Sequence, residues 1–128
     1  MAQDDVVELR LPAEAAYVSV VRTATAGLAA RLDFTVDEIE DLRIAVDEAC
    51  AILLPDVAGG ESLECLFRVG SDELEVTVSA RTVGDHRPER GSFGWTVLEA
   101  LAGSVESGRV DGRTYFTLCK RRGRGPGG

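Results

Sequence analysis

The segment TVDEIEDLRIAVDEACAILL, residues 35–54, is marked as a helix at both ends, and it constrains the fold more than any other stretch of the chain. Thr35 followed three residues later by Glu38 is a capping box, and Pro55 closes the far end. Ile39, Leu42, Val46, Ala49, Cys50 and Leu53 recur at helical spacing. A stripe of that kind must be buried against another layer, so the chain needs a second element to cover it. Away from the stripe, Ile44, Glu48 and Ile52 stand four residues apart and hold a carboxylate between two branched aliphatics. Glu48 is therefore either an awkward surface residue or part of a pocket.

The flanking pattern supplies the second layer. Residues 6–11 alternate, with Val7, Leu9 and Leu11 on one side, and read as a strand ended by Pro12. Residues 13–32 are Ala-rich and predict a helix with a seam of Ala16, Val20, Ala24, Leu28 and Leu32. After residues 35–54 and a turn at 56–61, two alternating runs (Leu63, Cys65, Phe67, Val69; Leu74, Val76, Val78, Ala80) predict a hairpin. Residues 81–91 are polar and irregular, and 92–101 form a third helix. Residues 105–109 and 114–120 close a second hairpin around Val110-Asp-Gly112. The order β-α-α-β-β-α-β-β predicts a two-layer α/β sandwich (α+β), its helices on one face of a mostly antiparallel sheet.

With 128 residues this is one domain, over 1–120, followed by a basic, Gly-rich tail at 121–128 expected to be disordered. A net charge of −8 argues against general nucleic-acid binding and against an anionic membrane surface. No apolar run reaches the ~18 residues of a membrane span, and Met-Ala-Gln-Asp-Asp lacks the features of a signal peptide. Cys50, Cys65 and Cys119 are odd in number and embedded in apolar-periodic elements, which suits buried, reduced thiols. The expected compartment is the cytoplasm.

Few chemistries remain. His86 is the lone histidine and lies in a polar loop, a poor start for a nucleophile–histidine pair. No His/Cys pair has the spacing of metal ligands. Asp37, Glu38, Glu40 and Asp41 occupy the first turns of a helix, where acids are favoured by the dipole. What is left is Glu48 together with residues 89–102, where Gly91 and Gly94 precede or open a helix and could bring backbone N–H groups to a phosphate.

Taken together, DLRIAVDEAC at 41–50 and GSFGWTVLEALAGSV at 91–105, in this element order, resemble the anti-sigma factor serine kinases of the RsbW type. These belong to the GHKL superfamily, whose shared fold is the Bergerat (histidine-kinase-like) ATP-binding sandwich, and the resemblance covers residues 5 to 120. It implies an alternative sigma factor and a STAS-domain anti-sigma antagonist as partners, exchanged by partner switching, with a possible homodimer. Glu48 matches the family's general base, and Arg22 matches an arginine of the first helix that contacts partners. Gly84, Gly94 and Thr96 fall on positions that bind the nucleotide.

Other positions depart from the family's pattern. The Mg²⁺-binding asparagine is Ile52, the adenine-binding aspartate is Ala80, the first glycine of that motif is Thr82, and the lid is cut to residues 85–90. Isoleucine offers no oxygen to Mg²⁺, and without the metal the charge on a transferring phosphoryl group is not neutralised. The expectation is an anti-sigma factor whose ATP binding and kinase activity have decayed, with no resident cofactor and Glu48 vestigial. ATP and Mg²⁺ return only if the degenerate site still binds them. The alternative is an active ATP-dependent serine kinase acting on the antagonist.

Overall fold

A computed structural model describes residues 4–123. Strand β1 (Asp5–Pro12) leads through a 3-10 turn into helix α1 (Val18–Arg31) and, after a tight corner, helix α2 (Val36–Leu53). Strands β2 (Ser62–Val69) and β3 (Glu73–Arg81) form the first hairpin; helix α3 (Phe93–Ala102) follows, and strands β4 (Ser104–Val110) and β5 (Arg113–Arg121) form the second. The sheet order is β1-β2-β3-β5-β4, and every neighbouring pair is antiparallel. The three helices lie over one face, so the two-layer sandwich read from the sequence is the fold.

Alternation along the strands places the core. Leu63, Cys65 and Phe67 of β2, Leu74 to Ala80 of β3 at every second position, and Phe116 and Leu118 of β5 are all buried beneath the helices. Leu42, Ala45, Val46, Ala49 and Cys50 of α2 are fully buried against them. The capping box that starts α2 is formed in both directions: Glu38 N–H donates to Thr35 Oγ1 at 3.1 Å, and Thr35 N–H donates to Glu38 Oε1 at 2.7 Å. The outward sheet face carries polar pairs instead, with Arg113 on Glu64 at 2.8 Å and Thr77 bonded to Thr117 at 2.9 Å. Among the described residues no helix is long and apolar enough to cross a membrane.

Three expectations are corrected. The α1 seam is Val18, Val21, Thr25, Ala29 and Leu32, while Ala16 and Val20 are exposed. Steps of four residues turn 400° and drift 40° each time, so a strict fourfold run leaves the core face; steps alternating three and four stay on it. Thr25 fits there because its hydroxyl donates to the Val21 carbonyl at 2.8 Å. Cys50 and Cys65 are buried, and burial pushes both thiols up to about 12. Cys119 is only half-buried, since β5 alternation puts Leu118 inward and Cys119 outward. The segment expected to be a disordered tail is held at its start. Arg121 belongs to β5, Arg122 N–H donates to the Asp72 carbonyl at 2.6 Å, and Gly123 N–H donates to Glu38 Oε2 at 2.6 Å. Residues 124–128 of that segment lie outside the described residues.

Gly103 turns the chain from α3 into β4 at φ 96°, ψ −67°, and a Cβ there would sit 3.0 Å from the Cys119 carbonyl oxygen. Gly103→Ala should therefore destabilise by about 1–3 kcal/mol, and Thr35→Ala by about 1 kcal/mol through loss of the cap. Urea unfolding midpoints, read at constant slope, measure both.

Candidate functional site

The α2 stripe fixes what its other faces can do. With Val46, Ala49 and Cys50 fully buried, Glu48 is turned outward and is exposed. Ile44, one turn earlier, is 45% exposed, and Ile52, one turn later, is half-buried. Asp47, on the α1 side, pairs with Arg22 at 3.4 Å, and both side chains are about half exposed. The family-matched arginine thus sits on the α1–α2 seam beside a carboxylate.

Ile52 lines a recess with Asp56, Thr82, Gly84, His86 and Thr114 that is too small to admit a water molecule. Its interior is built from internal pairings. Ala80 points into the core and is fully buried. Thr82 and Thr114 share a 2.7 Å hydrogen bond between hydroxyls, and the Arg109 guanidinium donates to the Thr82 carbonyl at 2.9 Å. Val83 N–H donates to the Asp56 carbonyl at 2.8 Å, which draws the chain after β3 onto the end of α2. Glycine at 84 suits this approach, because a Cβ would lie 2.9 Å from Asp56 Oδ1 and push that carboxylate aside.

The short strap at 85–90 closes over that floor. His86 Nδ1 lies 2.8 Å from both Asp56 carboxylate oxygens. Asp56 is nearly buried, while the His86 ring stands mostly in solvent. The hydrogen bond that His86 donates to Asp56, and then the Asp56 charge, raise the His86 pKa above the ordinary histidine value. Arg87 clasps Asp85 through Nε at 2.9 Å and through its terminal N–H at 2.7 Å, which pulls the Asp85 carboxyl down to about 2. The third Arg87 nitrogen reaches the Ser107 hydroxyl at 3.4 Å, tying the strap to β4.

At the far end of the strap α3 begins with its own cap. Trp95 N–H donates to Ser92 Oγ at 3.2 Å, and the Thr96 hydroxyl donates to the Ser92 carbonyl at 3.0 Å. Gly94 is exposed, with Pro88 3.5 Å from where its Cβ would be, and Arg90 stacks over the Trp95 ring at 5.4 Å.

The structure therefore brings Gly84 and Ile52 into one closed recess, puts Gly94 and Thr96 at the start of α3, leaves Glu48 in solvent, and sets Arg22 apart on the α1 side. Among the described residues no group of three or more His, Cys, Asp or Glu side chains converges to hold a metal ion. Sequence reasoning missed Asp56, read as the first residue of a turn, and missed that His86 is its partner. Thirty residues separate the two, so no local spacing announces the pair.

No family model matches the chain. The serine-protein kinase RsbW of Bacillus velezensis is 41% identical over 78 residues, which cover 59% of this chain and 49% of that protein. This chain thus spans about half the length of that relative. The serine-protein kinase RsbW of Bacillus cereus strain Q1 is 33% identical over 137 aligned positions, covering 91% of this chain and 85% of the relative. The crystal structure of the RsbU and RsbW domains of Rv1364c from Mycobacterium tuberculosis superimposes with a TM-score of 0.71, over 94% of this chain and 33% of that one. At 20% identity that likeness is one of fold. On the strength of the long alignment with the B. cereus protein, the chain belongs to the RsbW serine-protein kinase family.

Proposed function

We propose that this protein is a cytoplasmic anti-sigma factor that has given up nucleotide chemistry. It binds and inhibits an alternative sigma factor and is released by partner switching with a STAS-domain antagonist. The observation that carries this reading is the recess sealed under the His86–Asp56 pair. A pocket for a ligand of nucleotide size holds several hundred Å³; the recess beside Ile52 is instead filled by hydrogen-bonded side chains of the chain itself, and the open cavity nearby, about 370 Å³ among Arg87, Pro88, Arg90, Trp95 and Ser107, lies on the outer side of the strap. The residues present do not fit Mg²⁺ and ATP: Ile52 supplies no oxygen, and Ala80 offers a methyl group to the purine edge. Binding a partner needs none of this. It needs a rigid helical layer with anchors, and Arg22 supplies one, with a planar fork and an apolar stem. A homodimer would be compatible with this role.

The active kinase is the second reading. Glu48 favours it, because a carboxylate stands in solvent at the position that the family uses as general base. So does the name that the relatives carry.

Three measurements test the proposal. Mg²⁺ and ATP should leave the melting temperature unchanged, whereas occupancy at a hundredfold excess over Kd would add ~2.7 kcal/mol. Incubation with the STAS antagonist should give no phosphorylated product by intact-mass spectrometry; phosphorylation that Glu48→Ala abolishes would establish the kinase. Arg22→Ala should weaken the sigma-factor complex by about 2 kcal/mol or more while changing stability by no more than ~1 kcal/mol, the worth of its exposed pair with Asp47.

The His86–Asp56 pair itself is testable by pH. A histidine whose folded pKa is raised contributes stability that is complete below its unfolded value, about 6.5. That contribution is lost as pH rises through the folded value. The melting-temperature gap between the wild type and His86→Ala should thus be wider at about pH 5.5 than at about pH 8.5.

A further inference from the structure

Helix α3 carries a single charged residue, the exposed Glu99. Trp95, Leu98 and Ala102 are buried against the sheet, and the side turned away from them carries Phe93, Thr96, Val97 and Ala100 at the i, i+3, i+4, i+7 spacing of an apolar stripe. Phe93 is 85% exposed. With the inward side of α3 already buried, a stripe holding so exposed a phenylalanine is open for a partner to cover.

The neighbouring surface says what kind of partner it meets. Helix α2 packs beside α3 on the same face of the sheet. It contains six carboxylates and one arginine, Arg43, which is paired with Glu40 at 2.9 Å. Asp41, Ile44 and Glu48 share its outward side at helical spacing. Lys120 marks how closely the two helices approach on this flank. Its Nζ donates to the Leu101 carbonyl of α3 at 2.9 Å and lies 3.9 Å from Asp41 of α2.

We infer that α2 and α3 together form a docking surface for a positively charged amphipathic helix. Its apolar side would lie along Phe93, Val97 and Ala100, and its cationic flank would face Asp41 and Glu48. Charge complementarity argues for this occupant and against a second copy docking by the same face, since that would set the carboxylates of α2 against their own like charges. The surface lies on the α3 flank of α2, away from the Arg22–Asp47 pair on the α1 flank. It does not depend on what Arg22 binds.

The test uses the full chain and a synthetic probe, a helical peptide of about 18 residues with leucines on one side and lysines elsewhere. Titration followed by amide chemical shifts should move residues 93–101 of α3 and 41–48 of α2. Phe93→Ser should weaken binding about tenfold or more. Ala100→Arg should weaken it as well, and added salt should do the same for the wild type. Both substitutions are at exposed positions, and unchanged amide spectra away from them would confirm that the fold is intact. The proposal is overturned if the shifts map to α1 or to the outward sheet face, or if Phe93→Ser binds as the wild type does. It is overturned equally if the same peptide with glutamates for lysines binds as well. Concentration-dependent shifts of residues 93–101 without peptide would identify a second copy as the occupant and overturn it too.

Discussion

Burial of the α2 stripe on the sheet is the constraint from which the other features of the molecule follow. Leu42, Ala45, Val46, Ala49 and Cys50 have no exposed surface, and α2 packs on α1, on α3 and on strands β3 and β5. A helix locked on that many sides cannot rotate, so its remaining positions are assigned by geometry. Asp47 has to face α1, Glu48 has to face solvent, and Ile52 has to face the end of β3. Large-to-small substitution along the stripe would loosen all three assignments at once, because close-packed interiors transmit local changes in volume.

The fold was legible because its signals are periodic. Alternation in β2, β3 and β5, the capping box at Thr35 and the Asp111-Gly112 turn each act over a few residues, and each appears in the structure where the sequence places it. The turn has φ of 53° and 79° at its two central residues, the left-handed pair that a tight hairpin requires. The α1 seam was misplaced because Ala-rich helices offer small residues on every side, and only the contacts of Val18, Val21 and Ala29 select the buried one. The candidate site was less legible. The departures from the family's pattern at positions 52, 80 and 82 could be read from residue types alone. The pair beside them, an aspartate at the end of α2 meeting a histidine 30 residues later, depends on how the chain returns after β3.

The Asp56–His86 pair has an electrostatic logic. A nearly buried carboxylate such as Asp56 carries a desolvation cost unless its oxygens are satisfied. His86 provides the hydrogen bond, and the carboxylate in turn favours the charged imidazole. The strap is further held by Arg87 on Asp85 and by the links of Arg87 and Arg109 to Ser107 and Thr82. Opening the recess to a ligand would expose several of these groups together, so the sealed state is cooperative rather than the work of one contact.

Gly84 shows why a retained motif residue need not signal a retained ligand. By resemblance it stands at a glycine of the nucleotide loop, where a missing side chain lets the backbone approach the bound group. In this chain the backbone approaches Asp56 instead, and a Cβ would come within 2.9 Å of that carboxylate. A contact between non-bonded heavy atoms is most favourable near 3.5–4.0 Å, so an alanine there forces either the strap or Asp56 to move. The same residue is thus favoured with or without a nucleotide, and internal packing alone is reason enough to keep a glycine there.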